Sequence, residues 1–104
     1  MIDPKDVHSP RDRWTLIDVL AELGGPDSNW WALALGHWDD IPCLAARWNG
    51  DAEIEGSKGN PISRGYPTWF ILPDEMAEAM KSLIPAAKRN LVDSILATAK
   101  KSRF

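Results

Sequence analysis

The chain has 104 residues, 44% of them hydrophobic and 26% charged, with six tryptophans and one cysteine. That length supports one hydrophobic core and not two, and a single cysteine excludes an internal disulfide or a cysteine-rich zinc site and points to a reducing compartment. A net charge of -3 argues against nucleic-acid or membrane binding by bulk electrostatics. With neither a signal-like N-terminus nor an apolar run of about 18 residues, the expectation is a soluble cytoplasmic protein.

Residues 1–12 are polar and broken by proline, and read as a loose lead-in. Arg13 to Leu20, RWTLIDVL, admits two readings. Trp14, Thr15, Ile17 and Val19 favour a strand by residue type. Ser9-Pro10-Arg11-Asp12, the spacing of Leu16, Leu20 and Leu23, and Gly24 at a C-cap position favour a helix. The strand is preferred, ending before a Gly24-Gly25-Pro26 breaker.

Trp30 to Trp48, WWALALGHWDDIPCLAARW, reads as a hairpin. A two-residue turn at Asp39-Asp40 suits side chains that tolerate positive φ. Counting outward pairs Gly36 with Cys43, Ala34 with Ala45 and Ala32 with Arg47. Strand alternation then places Trp31, Leu33, Leu35, Leu44, Ala46 and Trp48 on one bulky face, expected to be core. The other face is a trough of Ala32, Ala34, Gly36, Cys43 and Ala45 edged by Trp30, Trp38, Ile41 and Arg47. Another element of the chain is expected to cover it, the alternative being a docking groove with Trp30, Trp38 and Arg47 as anchors. Pro42, opposite His37, has no ladder donor and suggests an edge position or a wider loop.

Asn49 to Pro67 is a long Gly- and Pro-rich loop, a kind of segment that is usually functional or disordered. Its polar residues Lys58, Asn60, Ser63, Arg64 and Tyr66 either set turns or form a recognition loop over a rigid sheet. Thr68 to Leu72, TWFIL, is a short apolar strand. From Asp74 the pattern is helical: Met76, Met80, Leu83 and Ile84 form one stripe, Pro85 interrupts, and Leu91, Val92, Ile95, Leu96 and Ala99 form a second. The expected fold is α+β, a single domain of residues 1–104 with an antiparallel three- to four-stranded meander over 13–73, loop 49–67 within it, and C-terminal helices over 74–104 packed on one face.

At RWNG (Arg47 to Gly50), GNPISRG (Gly59 to Gly65) and PTWFILP (Pro67 to Pro73) the sequence resembles a group of small uncharacterised bacterial proteins, over about residues 13–75. The resemblance implies a compact, Trp-rich, bacterial and cytoplasmic domain. It transfers no catalytic residue and does not extend to the helical tail.

Candidate chemistry is sparse. Cys43 and His37 are close in sequence but fall on opposite faces of the hairpin, which a nucleophile and its base cannot do. His8 and His37 make no metal-ligand spacing with any acid, Asp39 and Asp40 are explained by the turn, and Gly56 to Asn60 lacks the P-loop spacing. Neither a cofactor nor a metal is expected. The leading expectation is a non-enzymatic interaction or regulatory module that binds a protein partner or a second copy of itself through Trp30, Trp38, Arg47, Lys58, Asn60, Arg64 and Tyr66. The alternative is a nucleic-acid-binding accessory protein that uses sheet aromatics and the basic C-terminal helix, where residues 81–104 hold six bases against Asp93 alone. A small enzyme of unknown reaction is the third reading.

Overall fold

Strand-forming residues fill the first half of the chain and helix-forming residues its end, and the computed structural model, which describes residues 2–24, 30–51 and 53–102 with side chains through residue 97, follows that division. A 3-10 turn (Pro4–Asp6) leads into strands β1 (Trp14–Leu23), β2 (Trp31–Trp38) and β3 (Ile41–Trp48). After them come the short β4 (Ile62–Ser63), β5 (Tyr66–Pro67) and β6 (Phe70–Ile71), then helix α1 (Asp74–Met80), a second 3-10 turn (Lys81–Leu83) and helix α2 (Ala86–Ser102). The main sheet is antiparallel in the order β1-β2-β3-β6, and β4 and β5 form a separate two-stranded hairpin. This is the α+β meander with C-terminal helices that the pattern predicts. The Gly24-Gly25-Pro26 breaker falls largely outside the described residues.

The β2–β3 register runs from Trp38↔Ile41 at the turn to Trp31↔Trp48 at the open end, and includes Gly36↔Cys43, Ala34↔Ala45 and Ala32↔Arg47. Asp39 and Asp40 take φ of 48° and 67°, the doubly left-handed turn whose twist matches the strands. The closing pair of such a turn exchanges both ladder bonds, so the next pair, His37↔Pro42, exchanges none. Pro42 therefore needs no wider loop, and β6 pairs only as far as Ala45 and Ala46.

Residues 14–23 form a strand rather than a helix. Ten residues of β1 face eight of β2, with register shifts at Leu16/Asp18 and Val19/Ala21. Each shift inserts one extra residue, and such bulges re-aim side chains. Leu20 thereby enters the core on the helix side, 2% exposed.

The sheet separates two cores. On one face Leu20, Leu33, Leu35, Leu44 and Leu72 pack against Ala77, Ile84 and Val92 of the helical tail. The expected stripes are narrower in fact: Met76 and Leu83 are exposed, because α1 is only seven residues long and the following 3-10 turn breaks its phase. Leu91 of α2 is exposed as well, and the side chain of Ala99 lies outside the described residues. On the other face Ala32, Ala34, Cys43 and Ala45 lie under Val7, Trp14 and Trp69. The two indoles stand 6.1 Å apart, and Trp69 Nε1 donates to the Val7 carbonyl at 2.9 Å.

The lead-in, expected to be loose, is part of this cover. Val7 is fully buried, Ile2 N–H donates to the Asn49 carbonyl, and Ser9 bridges Thr68. A single apolar residue among polar ones gives little sequence signal, but the trough supplies the surface that holds it.

Two substitutions test this account. A Cβ at Gly36 would fall within the Trp14 ring and against the Thr15 carbonyl, so Gly36→Ala is expected to destabilise by about 2–3 kcal/mol in urea unfolding. Asp40→Gly relieves a left-handed non-glycine residue and is expected to raise the urea midpoint, by roughly 0.5 kcal/mol, with the m-value unchanged.

Candidate functional site

The long loop takes its shape from Arg47. This side chain is 3% exposed and sits in β3, where its Nε donates to Asn49 Oδ1 at 3.0 Å and its Nη1 to the Thr68 carbonyl at 2.6 Å. Nη2 reaches the Trp48 carbonyl at 3.3 Å and also the Lys58 carbonyl. Burial pushes the guanidinium pKa down to about 10, which leaves it charged at neutral pH. Every one of these acceptors is an uncharged oxygen.

Thr68 and Lys58 lie 21 and 11 residues away from Arg47, so one side chain ties both feet of the loop to the sheet. Two excursions result. Residues 49–59 leave and return at a neck where Trp48 and Asn60 exchange backbone bonds of 2.9 and 2.8 Å. The β4–β5 hairpin follows, closed at its foot by Thr68 N–H on the Pro61 carbonyl at 3.0 Å and turned at Arg64-Gly65, with φ of 51° and 83°. Lys58 Nζ caps that tip by donating to the Gly65 carbonyl at 2.8 Å. The loop thus contains a rigid hairpin of its own.

Beside the neck is an open groove of about 490 Å³, lined by Trp31, Ala46, Arg47, Trp48, Asn60, Pro61 and Phe70. The volume falls within the range of ligand clefts, roughly 300–1,000 Å³. Its origin is a size difference within one face of the sheet. Ala46 pairs with Leu33 on one side and Phe70 on the other, and the next pair on that face is Trp31↔Trp48. A methyl group among four large side chains leaves a notch at the margin of the helix-packed Leu33–Leu35–Leu44 core, against which Trp31 and Ala46 also pack. Trp31 and Trp48 are half-buried and Phe70 is 50% exposed. The Trp48 indole N–H is buried and has no acceptor among the described residues.

The sequence-predicted site residues divide into four groups. Asn60 lines the groove. Arg64 and Tyr66 belong to the adjoining hairpin, whose tip Lys58 caps from the first excursion, with Tyr66 65% exposed. Arg47, expected among the exposed anchors of an open trough, is corrected to a buried brace whose donors are spent on the fold. Trp30 and Trp38 are half-buried and separate from the groove: Trp30 Nε1 donates to Glu22 Oε1 at 3.2 Å, and Trp38 packs against the trough-side core.

Sequence reasoning placed Trp31 and Trp48 in the core, where the structure has both half-buried with Trp31 packed against that core, and it did not mark Phe70, which is 50% exposed, as a surface group. Alternation assigns their face but not how far the helical cover extends along it.

Other candidates are structural. Cys43 is buried in the trough-side core while His37 is half-buried on the other side. No group of three or more His, Cys, Asp or Glu is placed to hold a metal among the described residues. Lys81 pairs with Glu78 at 2.9 Å and Asp93 at 3.5 Å, and the Glu78 hydrogen bond raises its pKa. Lys88 pairs with Asp18 at 2.9 Å and caps the Val19 carbonyl, and Arg89 caps Ile84 and Ser82. The side chains of Lys100, Lys101 and Arg103 lie outside the described residues. No described helix is long and apolar enough to cross a membrane.

No protein family, curated protein or solved structure matches this chain.

If Arg47 organises the loop, Arg47→Lys loses the fork that reaches Asn49, Lys58 and Thr68 together. The expected cost is about 2–3 kcal/mol, from carbonyls left buried without donors. Amide hydrogen exchange is expected to rise first at Lys58, Asn60 and Thr68, ahead of the β2–β3 ladder.

Proposed function

We propose that this chain is a non-enzymatic interaction module that docks a protein partner in the groove between Trp31, Trp48, Pro61 and Phe70, with the 49–67 loop as its polar rim. The observation that supports it is the groove itself. The exposed Phe70, the half-buried Trp31 and Trp48 and a proline converge on a surface formed by backbone that hydrogen bonds hold fixed, and aromatic anchors in such pockets carry most of the energy of protein interfaces. Asn60, exposed at one end, offers an amide to a docked backbone.

The nucleic-acid reading draws no support from the described bases of the tail, since Lys81, Lys88 and Arg89 are engaged within the fold. A bacterial cytoplasmic setting is part of the proposal, on the resemblance of the RWNG and PTWFILP phrases and on a cysteine count that allows no internal disulfide.

The test is selection from a displayed library of short random peptides against the folded chain. The enriched peptides are expected to share an apolar anchor, to alter the indole fluorescence on binding, and to lose about tenfold or more in affinity for Phe70→Asp. Peptides that bind the wild type and Phe70→Asp equally, or a library from which nothing enriches, overturn the reading.

A further inference from the structure

The lead-in lies on the trough as a ligand lies on its site. Pro4 and Val7, three residues apart, are fully buried, while Asp3, Lys5 and Asp6 around them are exposed. Two apolar anchors with polar residues between them are the layout of a short docking segment. The segment also holds its own shape. Asp3 Oδ1 accepts from the Lys5 N–H at 3.0 Å, and the Asp6 and Val7 N–H groups donate to the Asp3 and Pro4 carbonyls at 2.9 and 3.2 Å. Its bonds to the body go to distant parts of the chain. Ile2 N–H donates to the Asn49 carbonyl at 3.0 Å, Trp69 Nε1 donates to the Val7 carbonyl at 2.9 Å, and Ser9 bridges Thr68. None of these bonds is to β1, the strand into which the segment runs. The receiving surface is built by other elements: alanines of β2 and β3 for the floor, and the Trp14 and Trp69 rings beside them. The Trp14 indole N–H is buried there with no acceptor among the described residues, a donor that the lead-in leaves unanswered.

We infer that the trough is a peptide seat closed in cis by residues 2–9, and that it takes the same segment from a second copy of the chain when its own is withdrawn. The occupant is identified by what already sits there. Because the segment carries its own turn and bonds only to elements far from it in sequence, a copy supplied by another chain makes the same contacts, which is the exchange of an identical element between protomers. One short connection joins the segment to the sheet: the turn in which the Arg13 and Trp14 N–H groups donate to the Pro10 carbonyl at 3.1 and 2.7 Å. Withdrawal therefore opens the seat without unpairing β1 from β2, a local opening and not a global one. The chemistry recognised is a proline and a valine three residues apart, with the valine carbonyl on an indole N–H. The trough is on the opposite face of the sheet from the Trp31–Trp48 groove, so this inference stands independently of it.

The experiment titrates a fluorescein-labelled synthetic peptide of residues 2–10 with the full chain and follows its anisotropy, with circular dichroism to confirm folding. In the wild type the attached segment competes for the seat, and a site closed in cis binds in trans only as often as it opens. Val7→Asp in the chain unseats the attached segment, and this variant is expected to bind the wild-type peptide about tenfold or more tightly than the wild-type chain does. A peptide that itself carries Val7→Asp is expected to bind neither chain. Val7→Ala, a smaller change, is expected to give the same order of affinities with a gain of about threefold, and it carries the test if Val7→Asp does not fold. A folded Val7 variant that binds no peptide, variants that bind it no better than the wild type, or a peptide whose binding is indifferent to its own valine overturns the inference.

Discussion

A guanidinium enclosed by uncharged oxygens governs the half of this molecule that carries the candidate site. Arg47 is 3% exposed and its described partners are Asn49 Oδ1 and the carbonyls of Trp48, Lys58 and Thr68. Desolvating a cation is expensive, and the drop of its pKa to about 10 records that cost. What offsets it is the number and direction of its hydrogen bonds. A planar fork reaches several acceptors at fixed angles, which a lysine ammonium cannot do. Those acceptors belong to separate strands and loop feet, so the arginine sets where the 49–67 loop leaves and rejoins the sheet. The groove depends on that setting, because its end wall of Asn60 and Pro61 lies between the two anchored feet.

The two faces of the β2–β3 hairpin solve their burial differently. On the trough side, alanines and Gly36 let the flat rings of Trp14 and Trp69 approach the backbone, and a thin cover of residues 2–9 suffices. On the bulky side, leucines need the thicker cover of α1 and α2. The helices pack over Leu33, Leu35 and Leu44, Trp31 and Ala46 lie at the margin of that core, and Ala46 is too small to fill the space between Trp31, Trp48 and Phe70. The same alternation that builds a tight core at one end of the face therefore leaves an aromatic notch at the other.

How much of this was legible depended on whether the determining interaction was local. The hairpin register followed from Asp39-Asp40 and the alternation of Leu33 and Leu35 with Ala32 and Ala34, all within a few residues. The β1 strand was legible by residue type, but its bulges were not. The extra residues give Leu16, Leu20 and Leu23 a spacing that imitates a helix while the backbone stays extended. Arg47 as a brace was invisible for another reason: its acceptors are backbone carbonyls 11 and 21 positions away, and any residue supplies a carbonyl. Trp31 and Trp48 were assigned the correct face, but that they are half-buried rather than fully buried was not legible, because depth depends on what distant elements pack there.

The edges of the sheet bear on how the molecule can meet another protein. An exposed strand edge invites pairing with a further strand. Along β1 this is obstructed by two bulges and by Lys88, which occupies the Val19 carbonyl and the Asp18 carboxylate. At the opposite edge β6 is only two residues long, and the adjacent Thr68 is bridged by Ser9 of the lead-in. Strand addition is thus disfavoured on both sides. The docking proposed for the groove would therefore use side chains, Phe70 with the half-buried Trp31 and Trp48 at the notch by Ala46, and would be specific to the residues around it rather than to the generic hydrogen-bonding pattern of a sheet.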